Sequence, residues 1–346
     1  MRERHLVLAA LALVASACVD AGPSEPNPAL GPLAGVYLNE AIDVIETNSI
    51  KRNEIDWTAF REVALLEAER AGAENPAETH PMIVAALERL GDNHSFFRAA
   101  QSGAGTSPSF AVAQTESGRE AGGGPLARVL EPGVAYLDVP AFAGGGTDAD
   151  ELSSSYHRLI RTLDEASPSC GWVVDLRGNA GGNMWPMLAG VGPILGEGSV
   201  GSFLYPDTEQ SGWFYEGGQA GFDDLVIAQA DEPYALRSLQ PWVAVLTDEL
   251  TASAGEAIAV AFRARDRARS FGAPTWGVST ANAAFPLSDG SVIFLTVATM
   301  VDRAGTVYGG ALEPDVAVRA GAKTGQPSTD VALRVALEWL SGRDCS

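Results

Sequence analysis

The chain has 346 residues, of which 46% are hydrophobic and 19% charged, and its formal net charge is −21 at pH 7. This composition excludes a disordered or low-complexity chain and is typical of a globular protein with apolar side chains to bury. The length suits one large domain and one small domain. An excess of 44 acidic over 23 basic side chains repels phosphate backbones, so nucleic acid is not expected to be a partner.

Residues 1–17 predict an export signal. Two arginines open the segment, and the apolar run 6–14 that follows is too short to span a bilayer as a stable helix. Residues 15–18 read ASAC and resemble the lipobox of bacterial lipoproteins, with Ala15 where Leu is preferred. Lipidation of Cys18 would anchor the protein to a bacterial membrane, facing the periplasm or the cell exterior. The alternative is an ordinary cleaved signal with an incidental cysteine.

Residues 18–33 are rich in proline and small residues, which predicts an extended tether. No later segment is long and apolar enough to cross a bilayer, so membrane contact is expected only through a lipid on Cys18. Cys170 and Cys345 would meet an oxidising compartment after export and could form a disulfide. The sequence leaves both this pairing and the oligomeric state open.

Residues 34–100 predict a small N-terminal helical domain. The segment Trp57–Arg70 and the segment Pro81–Leu90 carry apolar residues at helical spacing. In the first segment the apolar face consists of Phe60, Val63, Ala64 and Ala68. Residues 101–124 are mostly Gly, Ser and Ala and predict a loop that separates this domain from the rest of the chain.

From residue 125 the pattern changes to short apolar strands that alternate with helices. The predicted strands cover residues 134–139, 172–176, 242–246, 292–297 and 316–318, and residues 331–340 predict the last helix. The second and third of these strands are each followed by small residues and then by a helix. Strand, tight turn and helix in repetition predict an α/β core domain over residues 125–346.

A serine stands where a helix of small residues begins. Residues 245–256 read VLTDELTASAGE, so an apolar strand enters a turn and Ser253 precedes the helix. A serine in this place meets free backbone N–H groups and the positive end of the helix dipole, which suits a nucleophile. The alternative is structural, because Ser253 and Glu256 also have the spacing of a capping box.

A glycine turn follows another apolar strand. Residues 173–183 read VVDLRGNAGGN, and glycines at such a turn let backbone N–H groups approach a ligand oxygen, as an oxyanion hole requires. A dinucleotide-binding loop would need the spacing G-x-G-x-x-G, and a nucleotide P-loop would need a lysine; neither is present. A plain tight turn remains the alternative.

Two further segments stand out. Residues 90–97 read LGDNHSFF and place His94 among polar groups at the end of the helical domain. A single histidine is more often structural or exposed than catalytic. Residues 311–316 read ALEPDV, which by itself indicates a turn that leads into a strand.

Together and in this order, the four segments resemble the C-terminal processing, or tail-specific, serine peptidases and the related tricorn core. Those enzymes show L-x-D-x-H-[ST]-x-F, then D-L-R-x-N-x-G-G, then T-A-S-A-x-E, then G-x-x-P-D; here Ala311 takes the first position of the last motif. The resemblance covers roughly residues 35–320. It implies a crotonase/ClpP-like α/β core, hydrolysis of peptide bonds, and neither a metal nor another cofactor.

Carried over by position, the resemblance implies that Ser253 is the nucleophile. The oxyanion hole would consist of the N–H of Ala254 and the N–H of Gly181 or Gly182. Many members of the family use a lysine base within T-x-G-K, but residues 275–278 read TWGV here, and Val278 takes the lysine position.

Only two lysines remain in the chain, Lys51 in the helical domain and Lys323 beyond the last motif, and neither is placed to act as the base. The tricorn branch uses a histidine from the segment that matches His94. A neutral imidazole within hydrogen-bond reach can accept the proton of a serine hydroxyl.

A serine–histidine pair usually has a third group that orients the imidazole. The acid of the tricorn branch aligns with Tyr308 here, so Ser95, Asp302 and Glu313 are the substitutes considered. A dyad without a third residue also remains open.

The PDZ domain that many tail-specific peptidases carry has no room between the histidine segment and the core, where only residues 101–124 lie. Short peptides or locally unfolded protein segments are therefore the expected substrates. The first hypothesis is a lipid-anchored serine endopeptidase. The second is a non-catalytic protein on the same fold that binds a ligand or a peptide, suggested by Val278 and by the unidentified acid.

Overall fold

The computed structural model of the chain describes residues 29–100, 124–167, 169–319, 322–341 and 343. The predicted signal peptide, Cys18 and nearly all of the predicted loop 101–124 lie outside these residues. The helices are α1 (Pro32–Asn48), α2 (Trp57–Ala71), α3 (His80–Leu90), α4 (Thr147–Ala166), α5 (Met184–Leu195), α6 (Ala254–Phe262) and α7 (Val331–Ser341), with a short 3₁₀ helix at Pro76–Thr79.

The strands fall into two sheets. The first sheet is built from β2 (Leu126–Glu131), β3 (Val134–Asp138), β4 (Gly171–Asp175), β9 (Trp242–Thr247), β10 (Ala268–Gly272) and β13 (Val316–Ala317). The second is built from β1 (Phe96–Arg98), β5 (Gly198–Leu204), β6 (Gln210–Glu216), β7 (Gln219–Phe222), β8 (Leu225–Gln229), β11 (Thr280–Pro286) and β12 (Val292–Val301).

Helices α1, α2 and α3 form the N-terminal helical unit. Asp56 caps α2 by accepting the N–H of Ala59 at 3.2 Å, and α2 ends at Gly72 in the left-handed conformation. The predicted apolar face of α2 is buried except for Val63, which is 41% exposed. The segment 96–98, assigned to the helical domain from the sequence, is strand β1 and pairs with β12 of the second sheet. The helical unit therefore ends before residue 96, and the residues that follow it in the chain form β1, a strand of the second sheet.

The first sheet has the strand order β13-β10-β9-β4-β3-β2, and all its neighbours are parallel except β2 and β3. Successive residues of β4 and β9 face opposite sides and are buried on both. One face packs against α4, α5 and α6, and the other packs against α7. Both faces are thus covered, and ligands of such sheets bind at the carboxyl ends of the strands.

The second sheet is antiparallel, with the order β1-β12-β5-β6-β7-β8 and β11 on the other side of β12. Its strand β12 was predicted, whereas the run of strands from β5 to β8 was not. Leu287, Ile293 and Leu295 of the β11–β12 hairpin pack into the core of the helical unit. The second sheet therefore connects the helical unit to the remainder of the molecule.

The observed architecture confirms the α/β class with an N-terminal helical region. Within the described residues, none of the helices is sufficiently long and apolar to cross a bilayer. Cys170 is disulfide-bonded, and Cys345, the residue with which the sequence left its pairing open, lies outside the described residues.

Candidate active site

Two loops meet at the carboxyl ends of β4 and β9, which are neighbouring parallel strands. The loop after β4 holds the predicted glycine turn, and the loop after β9 holds Ser253. The N–H of Ala252 donates to the carbonyl of Asn179 at 2.9 Å, and the N–H of Gly178 donates to the Asp248 carboxylate at 2.9 Å. The Thr251 hydroxyl donates to the carbonyl of Leu176 at 3.0 Å. These three hydrogen bonds fix the glycine turn against the serine loop.

Ser253 stands directly before α6 in a strained backbone conformation, with φ 50° and ψ −113°. A non-glycine residue in this region costs on the order of 1–3 kcal/mol and persists only where its surroundings impose it. Here Glu256 accepts the N–H of Ser253 at 2.8 Å, as a capping box requires. The hydroxyl of Ser253, a partly buried residue, lies within hydrogen-bond distance of His94, so the capping interaction does not prevent this contact.

His94 brings an imidazole to this serine from the end of the helical unit. Its Nε2 lies 3.0 Å from Oγ of Ser253, and its Nδ1 lies 2.7 Å from Oγ1 of Thr280. Asp92 shapes the loop by accepting the N–H of His94 at 3.0 Å and the N–H of Ser95 at 2.8 Å. The two residues predicted as base and nucleophile are therefore adjacent, although 159 positions separate them along the chain.

Burial lowers the pKa of His94 from 6.5 to about 4, while the charge of Asp92 acts in the opposite direction. The imidazole is consequently neutral at pH 7. A neutral imidazole has one nitrogen that can accept a proton, which is the form a general base requires.

The glycine turn after β4 closely approaches the serine loop. Gly181 and Gly182 have φ values of 102° and 115°. A Cβ atom at Gly181 would lie 2.9 Å from Cβ of Ser253, and one at Gly182 would lie 2.1 Å from the carbonyl oxygen of Phe142. Both positions require glycine for their conformation and for this close approach.

The two glycines differ in the state of their N–H groups. The N–H of Gly181 donates to Oδ1 of Asn179 at 2.9 Å. Across the described part of the chain, neither the N–H of Gly182 nor that of Ala254 has a hydrogen-bond acceptor. Of the two glycines named from the sequence, Gly182 therefore has the available donor.

None of the three residues considered for orienting the histidine contacts Nδ1. The Ser95 hydroxyl donates to Asp92 at 2.6 Å, and the Asp302 carboxylate accepts the Tyr308 hydroxyl at 2.7 Å. The side chain of Glu313 is exposed to solvent. The group at Nδ1 is the hydroxyl of Thr280, which the sequence did not indicate. Its only signal is a position two residues after Val278, at the start of an unpredicted strand.

The segment 275–278, which has valine in the lysine position, donates hydrogen bonds to Glu256. The buried carboxylate of Glu256 accepts the N–H of Gly277 at 2.9 Å and that of Val278 at 3.0 Å, besides the N–H of Ser253 and the hydroxyl of Thr275. Burial raises the pKa of Glu256, and these four donors oppose that shift. The segment is thus tied to the turn that carries Ser253.

The two lysines lie elsewhere. Lys51 pairs with Glu54 at 2.9 Å, and Nζ of Lys323 donates to the carbonyl of Arg177 at 2.7 Å and to Asp138. Within the described ranges, no three His, Cys, Asp or Glu side chains are arranged to hold a metal ion.

The chain resembles known proteins in sequence and in fold. Residues 133–318 match the sequence profile of peptidase family S41. A nisin-resistance protein of Lactococcus lactis subsp. lactis is 26% identical over 318 residues, which are 89% of this chain and 87% of that protein.

Two solved structures share the fold. A lipoprotein from Streptococcus agalactiae superposes with a TM-score of 0.68 at 18% identity, covering 91% of this chain and 98% of that one. A photosystem II D1 C-terminal processing protease superposes with a TM-score of 0.55 at 17% identity, covering 82% and 93%. Because the profile match spans more than half of its residues, the chain belongs to peptidase family S41, the C-terminal processing serine peptidases.

Proposed function

We propose that the protein is an exported serine endopeptidase in which Ser253 is the nucleophile and His94 is the general base. The observation that carries this proposal is the 3.0 Å contact between Nε2 of His94 and Oγ of Ser253, next to the available N–H groups of Gly182 and Ala254. A serine, a neutral imidazole and free backbone N–H donors are the minimal groups for acyl transfer.

In the acylation step, Oγ of Ser253 attacks the carbonyl carbon of the scissile peptide bond and gives its proton to Nε2 of His94. The oxygen of the tetrahedral intermediate, now negatively charged, accepts hydrogen bonds from the N–H groups of Gly182 and Ala254. The C–N bond then breaks, and His94 returns the proton to the leaving amine. In deacylation a water molecule gives a proton to His94 and attacks the ester carbon; the C–Oγ bond then breaks, and His94 returns the proton to Oγ of Ser253 as the carboxylic acid is released.

The substrates we propose are short peptides or locally unfolded protein segments. Only residues 99–125 separate β1 from β2, which is fewer than the roughly eighty residues that a PDZ domain needs. A PDZ domain at this place therefore cannot capture substrate tails. The similarity to a nisin-resistance protein makes nisin the first peptide to test.

We also propose that Cys18 carries a lipid that anchors the mature protein to a bacterial membrane. The residues ASAC at positions 15–18 and the fold shared with a lipoprotein support this proposal. Detergent extraction of the wild type and the Cys18→Ser variant from the same cells tests it. Equal release of both proteins without detergent would exclude the anchor.

The catalytic proposal is tested by labelling the purified mature protein with a fluorophosphonate and mapping the labelled peptide by mass spectrometry. We expect a label on Ser253, no label in Ser253→Ala, and a labelling rate lower by about 10³-fold or more in His94→Gln. Ser155→Ala is the matched control, because its hydroxyl on α4 donates only to the carbonyl of Leu152. A folded wild-type protein that is not labelled would exclude the peptidase and favour the peptide-binding alternative.

A further inference from the structure

The second ring nitrogen of His94 meets a hydroxyl where serine peptidases with a triad commonly place a carboxylate. Thr280 is 8% exposed, and its Oγ1 lies 2.7 Å from Nδ1 of His94. A threonine hydroxyl can accept a hydrogen bond from an N–H group, but it carries no charge. Thr280 can therefore orient the imidazole, but it does not place a negative charge beside the ring.

Strand β11 holds His94 at two points. Thr280 contacts the imidazole, and Nδ2 of Asn282 donates to the backbone carbonyl of His94 at 2.7 Å. Residues two apart on a strand project from the same face, so a single strand face fixes both the ring and the main chain of His94. Asn282 is itself fixed, because its Oδ1 accepts the hydroxyl of Thr296 at 3.1 Å.

A β-bulge places these residues. Thr280 pairs with Thr299 and Ala281 pairs with Ala298, but Asn282 pairs with Thr296, so Val297 is an extra residue in β12. Bulges next to active sites redirect side chains. Here the shift puts Thr296 opposite Asn282, and Thr296 also donates its N–H to the Ser95 hydroxyl at 2.9 Å. The loop of His94 is thereby attached to β12 as well as to β11.

The carboxylates of Asp92 and Glu256, which flank His94 and Ser253 in the chain, are engaged by other donors. On the loop of His94, the Asp92 carboxylate accepts two backbone N–H groups and the Ser95 hydroxyl. On α6, the Glu256 carboxylate accepts four donors that do not include His94. On β11 and β12, the side chains that contact His94 or its loop are those of Thr280, Asn282 and Thr296, and all three are uncharged. No carboxylate among the described residues accepts a hydrogen bond from the ring.

We propose that Thr280 is the positioning residue of His94, completing a Ser–His–Thr arrangement in which its hydroxyl accepts the Nδ1–H of the imidazole. This inference rests on the proposed peptidase function. When Nε2 takes the proton of Ser253, the imidazolium carries N–H groups at both nitrogens, and Oγ1 of Thr280 accepts the one at Nδ1. The ring stays in place with Nε2 directed at the serine, while the absence of a negative charge leaves His94 a weaker base than in a carboxylate triad.

The test measures the second-order rate constant for labelling of Ser253 by a fluorophosphonate–rhodamine probe, from about pH 4 to pH 8, in the full mature protein. Thr280→Val removes the acceptor and leaves a buried N–H unsatisfied, so we expect labelling slower by about 10- to 100-fold. Thr280→Ser keeps the hydroxyl, and its rate should stay within a few-fold of wild type. Thr299→Val is the control, because Thr299 is the cross-strand partner of Thr280 and makes no hydrogen bond to His94.

Thr280→Asp supplies the missing charge and separates positioning from general structural support. A carboxylate at Nδ1 favours the protonated imidazole, so the acid limb of the labelling profile should move upward by about 1–3 pH units. The pKa of His94 measured by NMR titration should rise with it, a readout that does not depend on activity. The mature chain has only His80, His94 and His157, so the His94 signals are assigned by comparison with His94→Gln.

A wild-type labelling rate in Thr280→Val, or an unmoved His94 pKa in Thr280→Asp, would overturn the role of Thr280 while leaving Ser253 and His94 intact. Loss of activity in Thr280→Ser equal to that in Thr280→Val would also overturn it, because the hydroxyl would then be irrelevant. Failure of the underlying function looks different, since the wild type itself would show no labelling that depends on Ser253.

Discussion

The buried imidazole of His94 should make the folded state sensitive to mild acid. In the unfolded chain a histidine has a pKa near 6.5, whereas in the folded protein burial lowers the pKa of His94 to about 4. Above pH 7 His94 is neutral in both states and contributes nothing to the pH dependence. Between these two values the unfolded state binds a proton that the folded state does not, so stability falls as the pH falls.

The size of the effect follows from the shift of the pKa. One pKa unit corresponds to about 1.4 kcal/mol, so the free energy of unfolding should fall by about 2–3 kcal/mol between pH 7 and pH 4.5 through His94 alone. For a domain with a stability of about 5–15 kcal/mol this loss is large enough to measure.

Urea denaturation of the wild type and of His94→Gln at the neutral and the acidic pH isolates the contribution of His94 to the pH dependence of stability. The second buried histidine, His157, also has a pKa lowered by burial, but it is present in both proteins and cancels in the comparison. We expect the wild type to lose about 2–3 kcal/mol more than His94→Gln on acidification. Equal losses in the two proteins would show that His94 does not bind its proton preferentially in the unfolded state, and the electrostatic reasoning on the base would fail.

Two further substitutions test the surroundings of Ser253. Glu256→Gln replaces an acceptor-only group by an amide whose N–H₂ must face donors, so urea denaturation should show a free energy of unfolding lower by about 1–3 kcal/mol. Glu249→Gln is the control, because Glu249 is exposed and its substitution should leave the free energy of unfolding unchanged. Gly182→Ala should slow Ser253 labelling on the order of 10²-fold, since its Cβ would meet the Phe142 carbonyl and shift the N–H donor; Gly145→Ala, where a Cβ has open space, is the control. Wild-type labelling in folded Gly182→Ala would remove this N–H from the oxyanion hole.

The sequence predicted those parts of the fold whose apolar residues form a regular local pattern, either a continuous run or a helical repeat. The strands β4 and β9 are buried on both faces and read as continuous apolar runs between turns. By contrast, β5 to β8 are partly exposed, and the first three of them contain glycines, at 198, 201, 212 and 221, that interrupt the alternation. Their pairing with one another stabilises them, and such pairing is not visible in a local pattern.

The candidate site divides in the same way. Ser253, His94 and the glycine turn were named because each lies in a segment of recognisable residues. Thr280 was not, because its contact joins positions 186 residues apart and depends on the pairing of β11 with β12. Asp302 was considered as the acid, but Tyr308, which occupies the aligned position, donates its hydroxyl to that carboxylate. Which side chain contacts Nδ1 of His94 therefore depends on the tertiary structure, and the local sequence could not predict it.

The source of the histidine makes the helical unit part of the proposed catalytic apparatus. The segment 275–278 donates two backbone N–H groups to Glu256 and has Val278 where the motif T-x-G-K has lysine, so the base that we propose comes from another segment. His94 comes from the end of α3, and its loop is attached to β11 and β12 through Asn282 and Thr296.

The helical unit packs its core against the same hairpin. The N–H of Ile50 donates to the carbonyl of Thr296 at 2.8 Å, and Glu40 accepts the N–H of Ser288 at 2.8 Å. A change that loosens this packing displaces His94 from Ser253 even if the loops at β4 and β9 stay intact. Under the proposed mechanism, residues 125–346 alone would retain the serine and the proposed oxyanion donors but lack the base, so we expect the helical unit to contribute to catalysis as well as to stability.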